Sequence, residues 1–224
     1  LITDMKPKSP TVEAYRSLRS SLNFTAVDRT VTSLVVSSPS PMEGKTVTCA
    51  NRAISYALLC RKLYLVDADL RKPRQHLLFN IQPEPGLMEY LVEGKDMHDC
   101  IHKTNTSGLS ILPCGQTPPN PAELIASQRM HDCMNTLHDE YDLVIYDSAP
   151  LLPVTDTLIL ASRADGLLLV VRHGFTDKRA LDDVAASVEE SRNIPLLGVV
   201  LNQAPVKKGY GYGYGYGYYS EGYY

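Results

Sequence analysis

The sequence is short of several features that would mark particular classes of protein. It contains no tryptophan and only three phenylalanines among its 224 residues. Its five cysteines form no CxxC pair and its six histidines no HExxH spacing, which argues against a disulfide framework, a thiolate metal site and an all-protein metal cage. The longest uninterrupted apolar run, Leu167–Val171, is far shorter than the roughly 20 residues that a membrane-spanning helix needs.

The net charge and the first residues argue against a nucleic-acid binder and a secreted protein. The chain carries 25 acidic against 22 basic residues, a formal net charge of −3, whereas general nucleic-acid binders are usually strongly basic. We therefore expect no nucleic-acid partner. The opening residues, LITDMKPKSP, lack the apolar core of a secretory leader. An odd number of cysteines without a pairing pattern is typical of a reducing compartment, which favours a cytoplasmic protein.

The sequence has an excess of tyrosine at its C-terminal end. Eight of the 14 tyrosines fall in the last 15 residues, YGYGYGYGYYSEGYY, and no aliphatic residue accompanies them. Because alternating glycine makes a strand costly to order, residues 205–224 are predicted to form a disordered tail.

Residues 1–204 have the pattern of an α/β domain. Short apolar, β-branched runs are nearly continuous rather than alternating, which is typical of strands buried on both faces of a parallel sheet. The runs are 33–38, 63–67, 109–113, 142–147, 166–171 and 196–202, and helical patterns lie between them at Val47–Cys60, Pro121–His138 and Lys178–Arg192. The prediction is a parallel β-sheet flanked by helices, with right-handed crossovers.

An amphipathic helix is predicted before the first strand. The segment SPTVEAYRSLRSSLNF places Ala14, Leu18 and Leu22 on one helical face. Ser9 or Thr11 is the candidate N-cap of this helix.

The first strand ends in a loop that has the residues of a phosphate-binding site. SSPSPMEGKT separates the strand from the next helix, and strand, loop, Gly-Lys-Thr and helix in this order are typical of a P-loop. Gly44 lets the backbone approach phosphates, Lys45 places a cation on the β and γ oxygens, and the Thr46 hydroxyl can bind Mg²⁺. Pro39 stands where the full motif has its first glycine. The candidate nucleotide-contacting residues of the loop are Pro41, Met42, Glu43, Gly44, Lys45, Thr46 and Val47.

Three aspartates end predicted strands at the same edge of the sheet. Asp67 and Asp69 end the second strand, and Asp147 ends the fourth. Because ligands of open α/β sheets bind outside the carboxyl ends of the strands, we expect these acids to join Lys45 and Thr46 in one crevice. Mg²⁺ typically takes a hydroxyl and one or two carboxylates of a protein as ligands. The competing interpretation is that each aspartate only caps a helix or a turn.

The motifs, taken in order, resemble those of the bacterial tyrosine kinases of capsule and exopolysaccharide synthesis, members of the deviant Walker class of P-loop ATPases. SPMEGKT, VDADLRKP and VIYDSAP resemble the Walker A, A′ and B motifs of that family, and PPNPAELIAS resembles its PPNPxELL segment. Glu13, Arg16 and Arg19 match its N-terminal ExxRxxR helix, and the tail resembles its autophosphorylation segment. Partition-type ATPases of the same class carry a second lysine where this chain has Ser40.

The resemblance implies a role for each site residue. Asp67 would orient or deprotonate the tyrosine hydroxyl, although spacing alone leaves its role interchangeable with that of Asp69. Asn202 matches a position that contacts adenine and is explained almost as well as a strand-end turn residue. The basic residues of RKPR, after Walker A′, either hold a phosphorylated or acidic neighbour or form a solvated turn. The implied catalytic residues are Lys45, Asp67, Asp69 and Asp147, and the implied Mg²⁺ ligands are Thr46, Asp69 and Asp147.

The function implied by the resemblance is an autokinase, dependent on ATP and Mg²⁺, that regulates capsular or exopolysaccharide synthesis and export. Residues 1–204 would be the kinase domain, residues 1–28 an oligomerisation helix that closes a ring, and residues 205–224 the tail phosphorylated by a neighbouring subunit. The implied partners are copies of the chain, a protein-tyrosine phosphatase, and a transmembrane polysaccharide co-polymerase that activates the kinase at the inner face of the membrane. The tail tyrosines are Tyr210, Tyr212, Tyr214, Tyr216, Tyr218, Tyr219, Tyr223 and Tyr224.

Three alternatives come from the residues themselves. Met42 stands where the resembled kinase family usually has glycine, and a positive φ at this position would strain the loop. Together with Pro39 this leaves open the alternative of a nucleotide-dependent assembly switch or scaffold of the partition class, with weak or no kinase activity. Glu13 and Arg16 can pair within their own helix instead of across a ring contact. The tail can be adhesive low-complexity sequence rather than a substrate.

Overall fold

The computed structural model describes residues 1–25, 30–59, 62–191 and 193–205, with the backbone alone for residues 23–25. Within these ranges the chain forms a seven-stranded, mostly parallel sheet flanked by helices, which confirms the predicted fold class. Residues 206–224 lie outside the described part of the chain, and so does the prediction of a disordered tail. The division into a domain and a tail therefore stays a prediction.

The central strands of the sheet are those that end in the predicted site. The strands are β1 Ser33–Ser37, β2 Leu63–Ala68, β3 His102–Lys103, β4 Leu109–Leu112, β5 Leu143–Ser148, β6 Gly166–Arg172 and β7 Leu196–Asn202. Their order is β3-β4-β2-β5-β1-β6-β7, with only β3 antiparallel to its neighbour. The parallel register of β2 and β5 sets Asp67 directly opposite Asp147.

The parallel strands form where the sequence has its continuous apolar runs. Every residue of β1, β2 and β5 is buried, because both faces of the sheet are covered. Along β1, Val35 packs into the core on one face while Leu34 and Val36 pack into the core on the other. The edge strand β3 has no counterpart in the prediction, because its two residues are polar and give no apolar run.

Seven α-helices are found in the described residues. They are α1 Pro10–Thr25, α2 Lys45–Ala57, α3 Gln75–Phe79, α4 Pro121–Ala126, α5 Gln128–Glu140, α6 Asp156–Ala161 and α7 Lys178–Glu190. A π-helical turn spans Glu89–Glu93, and 3₁₀ turns span Ile2–Asp4 and His98–Cys100. In the described ranges none of the helices has the length and apolar character needed to cross a membrane.

The single helix predicted over Pro121–His138 is wrong. The chain forms two helices that meet at Ser127, whose backbone is extended with φ −61° and ψ 156°. The Ser127 hydroxyl donates to the Leu124 carbonyl at 2.7 Å and accepts from the Met130 N–H at 3.2 Å. Ser127 therefore closes α4 and caps the N-terminus of α5.

Helix α1 lies in the segment predicted to be amphipathic, and it packs against α2. Ser9 is its cap, since the Val12 N–H donates to the Ser9 hydroxyl at 3.3 Å. Val12 and Leu22 are buried, whereas Ala14 is exposed. The predicted face was therefore offset, and Val12 takes the place that the prediction gave to Ala14.

Candidate active site

The P-loop connects β1 to α2, and its glycine is required by a close contact. Gly44 has φ +92°, a conformation that favours glycine, and a Cβ atom built there would lie 2.1 Å from Asn202 Nδ2. That same Asn202 nitrogen donates to the Glu43 carbonyl at 2.9 Å. The structure thus places Asn202 against the P-loop backbone, while its predicted contact with adenine stays a prediction.

Met42 occupies the left-handed region of backbone conformation, with φ +67°. The position therefore has the positive φ that makes a side chain unfavourable. The Met42 side chain is 76% exposed, so packing offsets little of this strain. Arg172 Nη1 donates to the Met42 carbonyl at 3.3 Å and helps to hold the loop in shape.

The buried side chain of Glu43 stabilises the loop through hydrogen bonds. One oxygen of its carboxylate accepts from the Ser40 N–H at 3.1 Å, and the other accepts from the Thr176 hydroxyl at 2.7 Å. Pro41 and Val47, also predicted to contact nucleotide, are exposed at the surface of the loop and of α2. The loop is thus fixed from within by Glu43 and Asn202.

Lys45 lies between two of the predicted acids. Its ammonium nitrogen is 2.8 Å from Asp69 Oδ2, 3.2 Å from Asp147 Oδ1 and 3.2 Å from the Thr46 hydroxyl. Burial lowers the pKa of Lys45, but the charges of Asp147 and Asp69 outweigh it and raise the pKa above its usual value. The ammonium therefore stays charged in a pocket that is almost closed to water.

The carboxylate of Asp147 is fully buried at the end of β5. Its second oxygen, Oδ2, accepts from Gln75 Nε2 at 2.9 Å. Burial raises the pKa of Asp147 above its ordinary value, with the Asp69 charge adding to that shift and Lys45 opposing it. Asp147 thus depends on Lys45 and Gln75 for the charge and the hydrogen bond that favour its ionised form.

The two carboxylate oxygens of Asp67 have different surroundings. Its Oδ2 accepts from the Arg74 N–H at 3.0 Å and from the Gln75 N–H at 2.8 Å, so this oxygen caps α3. Its Oδ1 is buried and has no hydrogen-bond partner in the described part of the chain. Burial and the nearby Asp147 charge raise the pKa of Asp67.

Asp69 likewise both caps a turn and faces the site. Its Oδ1 accepts from the Arg71 N–H at 3.3 Å and the Lys72 N–H at 3.0 Å, while Oδ2 pairs with Lys45. Capping therefore does not exclude a site role, because each of the two carboxylates uses only one oxygen for backbone N–H groups.

Two contacts near the site were not part of the sequence prediction. Gln75 contacts both Asp147 and the Thr46 carbonyl, and no motif marks it. Arg71 makes a bidentate ion pair with the buried Asp156 at the start of α6, at 2.8 and 3.1 Å. Of the basic residues in RKPR, Arg71 thus has a partner within its own domain, whereas Lys72 and Arg74 are exposed.

The residues predicted to mediate oligomerisation lie on α1, away from the phosphate loop in sequence. Arg16 pairs with Glu13 within the helix, as the intrahelical alternative expected. Arg19 Nη1 donates to the Ser55 carbonyl on α2. The structure therefore gives all three residues partners inside one domain, and their role between subunits stays a prediction.

The cluster of Lys45, Asp67, Asp69 and Asp147 has the charges and acceptors of a site for Mg²⁺ and nucleotide. The Lys45 ammonium shows that a cation fits between Asp69 and Asp147, and the buried Oδ1 of Asp67 is an acceptor without a partner in the described residues. No three His, Cys, Asp or Glu side chains of the described residues enclose a metal ion by themselves. Mg²⁺ bound through phosphates and water needs only one or two carboxylates, so the residues fit the ion.

The chain has the fold and the site of a P-loop nucleotide-binding protein. Its phosphate loop joins a strand to a helix that begins with the loop lysine, and acids on neighbouring strands lie beside it. Residues 43–194 match the family model described as an AAA domain. Over 208 residues the chain is 37% identical to tyrosine-protein kinase YwqD of Bacillus subtilis (strain 168), covering 93% of this chain and 87% of that protein.

Two further comparisons agree with this relationship. The putative tyrosine-protein kinase EpsB of Ralstonia solanacearum is 36% identical over 90% of this chain, which spans only 27% of that longer protein. The solved kinase domain of Escherichia coli tyrosine kinase ETK superposes with a TM-score of 0.87 at 32% identity, covering 97% of this chain and 85% of that one. The chain belongs to the bacterial tyrosine-protein kinases.

Proposed function

We propose that the chain uses Mg²⁺ and ATP to phosphorylate the C-terminal tyrosines of neighbouring subunits, and that this regulates capsular or exopolysaccharide synthesis and export. The observation that carries the proposal is the buried Lys45 ammonium held between Asp69 and Asp147 at the start of α2, in a chain whose last 15 residues contain eight tyrosines. A phosphoryl-transfer site needs such charge stabilisation and positioning more than covalent chemistry.

The proposed roles of the residues rest on the chemistry of their side chains. Lys45 would neutralise charge on the transferred phosphoryl group, while Thr46, Asp69 and Asp147 would hold Mg²⁺. Bound there, Mg²⁺ would supply further charge neutralisation at the phosphates. In the transfer the tyrosine oxygen forms a bond to the γ-phosphorus, the bond between that phosphorus and the bridging oxygen breaks, and ADP leaves.

Asp67 is the candidate acceptor of the tyrosine proton. Its Oδ1 has no hydrogen-bond partner in the described residues, which leaves its lone pairs available to a proton. Oδ2 is held by two backbone N–H groups, which fixes the direction of the free oxygen. This supports the assignment of the base to Asp67 rather than Asp69, since Oδ2 of Asp69 is already paired with Lys45.

The proposed partners are other copies of the chain, a transmembrane polysaccharide co-polymerase and a protein-tyrosine phosphatase. A ring would use Glu13, Arg16 and Arg19, which must then exchange at least part of their present contacts within the domain. The length of EpsB beyond the matched quarter is consistent with kinase domains that are joined to further segments. Membrane attachment at the inner face of the membrane would come from the co-polymerase.

Transfer between subunits is tested by mixing two full-length chains. Uniformly ¹⁵N-labelled Lys45→Met protein is incubated with unlabelled wild type, Mg²⁺ and ATP, and the two are separated by intact mass. Phosphate additions on the labelled chain are expected, because a neighbour's site can act on its tail. Phosphate on the wild-type chain alone would overturn transfer between subunits, and phosphate on neither would overturn the kinase proposal.

A nucleotide-dependent assembly switch with weak kinase activity is the second candidate. It is favoured by the positive φ of Met42, which strains the loop that binds the phosphates. The two candidates differ in the same experiment: a switch would bind nucleotide and change its assembly while neither chain gains phosphate.

A further inference from the structure

Gln75 contacts three of the site residues although no sequence motif marks it. It is the first residue of α3 and is fully buried. Its side-chain nitrogen donates to Asp147 Oδ2 at 2.9 Å and to the Thr46 carbonyl at 3.2 Å. Its backbone N–H donates to Asp67 Oδ2 at 2.8 Å. A single residue thus joins the ends of β2 and β5 to the first turn of α2.

The orientation of the Gln75 amide is determined by its neighbours. A backbone carbonyl and an ionised carboxylate can only accept, so the nitrogen of the amide must face both Thr46 and Asp147. The amide oxygen is then directed away from them, and it has no hydrogen-bond partner in the described part of the chain. Leaving a buried acceptor unpaired costs stability, so the contact is not explained by stability alone.

We propose that Gln75 is a positioning residue that holds the Asp147 carboxylate in the orientation needed to bind Mg²⁺-nucleotide. Asp147 has Lys45 on one oxygen and Gln75 on the other. Without the amide, Oδ2 would lose its donor next to two other carboxylates, and the group could turn about its axis. The inference rests on the proposed Mg²⁺-ATP site, since Gln75 acts there only through Asp147.

The test compares nucleotide binding with and without Mg²⁺ in the full chain. Gln75→Met keeps the length of the side chain and removes the amide. Partners that orient a metal ligand typically contribute 10- to 100-fold in metal affinity. Titration of a fluorescent ATP analogue is therefore expected to show at least a tenfold rise in the Mg²⁺ concentration for half-saturation. Binding of the analogue in EDTA should change less than twofold, because the substitution replaces no residue of the phosphate loop and removes only one hydrogen bond to it, at the Thr46 carbonyl.

A matched control is available at the start of another helix. Gln128 is the first residue of α5 and donates to Asp132 at 2.9 Å, but it is exposed and contacts no predicted site residue. Gln128→Met should leave the Mg²⁺ requirement unchanged. Gln75→Asn keeps the amide donor but shortens the side chain by one methylene, so its Mg²⁺ requirement should lie between those of wild type and Gln75→Met. If Gln75→Met does not fold, Gln75→Asn is used for the test.

Three results separate the possibilities. An unchanged Mg²⁺ requirement in the Gln75 variants overturns the inference and leaves the proposed function intact. Equal loss of binding with and without Mg²⁺, together with a lowered melting temperature, also overturns it, because Gln75 would then be only structural. If wild type itself shows no Mg²⁺-dependent binding, the proposed function fails and the inference fails with it.

Discussion

Met42 and Gly44 lie two residues apart in the phosphate loop and share a left-handed backbone, with φ of 67° and 92°. The cost differs, because glycine has no Cβ atom and methionine does. At Gly44 the contact with Asn202 explains why a side chain is excluded. At Met42 the exposed side chain gains little packing in return for the strain.

Met42→Gly is expected to stabilise the protein. Glycine relieves the left-handed strain of the folded loop, and its greater flexibility in the unfolded chain offsets part of that gain. The free energy of unfolding should rise by about 1 kcal/mol, which corresponds to a rise of roughly 2 °C in Tm. Thermal unfolding measures the change. Met5→Gly is the matched control, since Met5 is also exposed but has φ −103°, and it should not raise Tm. A fall in Tm for Met42→Gly would contradict the account of the loop.

The site residues that sequence could predict are those with a motif or a strand end to mark them. Lys45, Asp69 and Asp147 follow from the order of strand, loop and helix, and in the structure an oxygen of each carboxylate lies within 3.2 Å of the Lys45 ammonium nitrogen. Gln75 could not be found this way, because its role comes from a turn that folds it back onto Asp147. Asp156 was missed because its partner, Arg71, lies 85 residues away in the sequence.

At the scale of elements, the start of β1 is fixed to the start of β6 by one carboxylate. Asp165 Oδ2 accepts from the backbone N–H and the hydroxyl of both Thr32 and Ser33, each at 2.9 Å. Burial raises the pKa of Asp165, but these hydrogen bonds outweigh it and lower the pKa below its ordinary value. The clamp therefore favours the ionised form.

Asp165→Asn is expected to destabilise the fold in a pH-dependent way. Since Asp165 is only partly buried, the free energy of unfolding should fall by about 1–2 kcal/mol at pH 7. A carboxylate with a lowered folded-state pKa contributes stability above its unfolded pKa and loses it as pH falls through the folded value. Urea unfolding should therefore show the difference shrinking below about pH 4.

The control for this change is an aspartate on the surface. Asp139→Asn alters an exposed residue of α5 and should shift stability by less than about 0.5 kcal/mol at either pH. A difference for Asp165→Asn that is constant with pH, or that grows on acidification, would contradict the role given to the clamp.

Strands could be predicted from the sequence where apolar residues follow one another without a break. The buried runs of β1, β2, β5 and β6 were predicted because strands covered on both faces leave uninterrupted apolar sequence. The break between α4 and α5 was missed, because neither a proline nor a glycine marks the end of a helix at Ser127. β3 was missed because two polar residues carry no periodicity.

At the scale of the whole molecule, the proposed function places the candidate substrates, the eight tyrosines of the last 15 residues, in the same chain as the phosphate loop. The formal charge of the chain is −3. Each phosphotyrosine adds about −1.5 to −2, so full modification of the eight tail tyrosines would add about −12 to −16. Such a change is large enough to alter the association of the subunits through charge repulsion.

The measurement that tests the central claim most directly is the intact mass of the full-length protein after incubation with Mg²⁺ and ATP, followed by peptide mapping. We expect a ladder of up to eight phosphate additions within residues 210–224, removed by phosphatase and absent in Lys45→Met. Thermal unfolding of that variant shows that it is folded. No additions to wild type, additions that persist in the variant, or additions confined to other residues would contradict the claim.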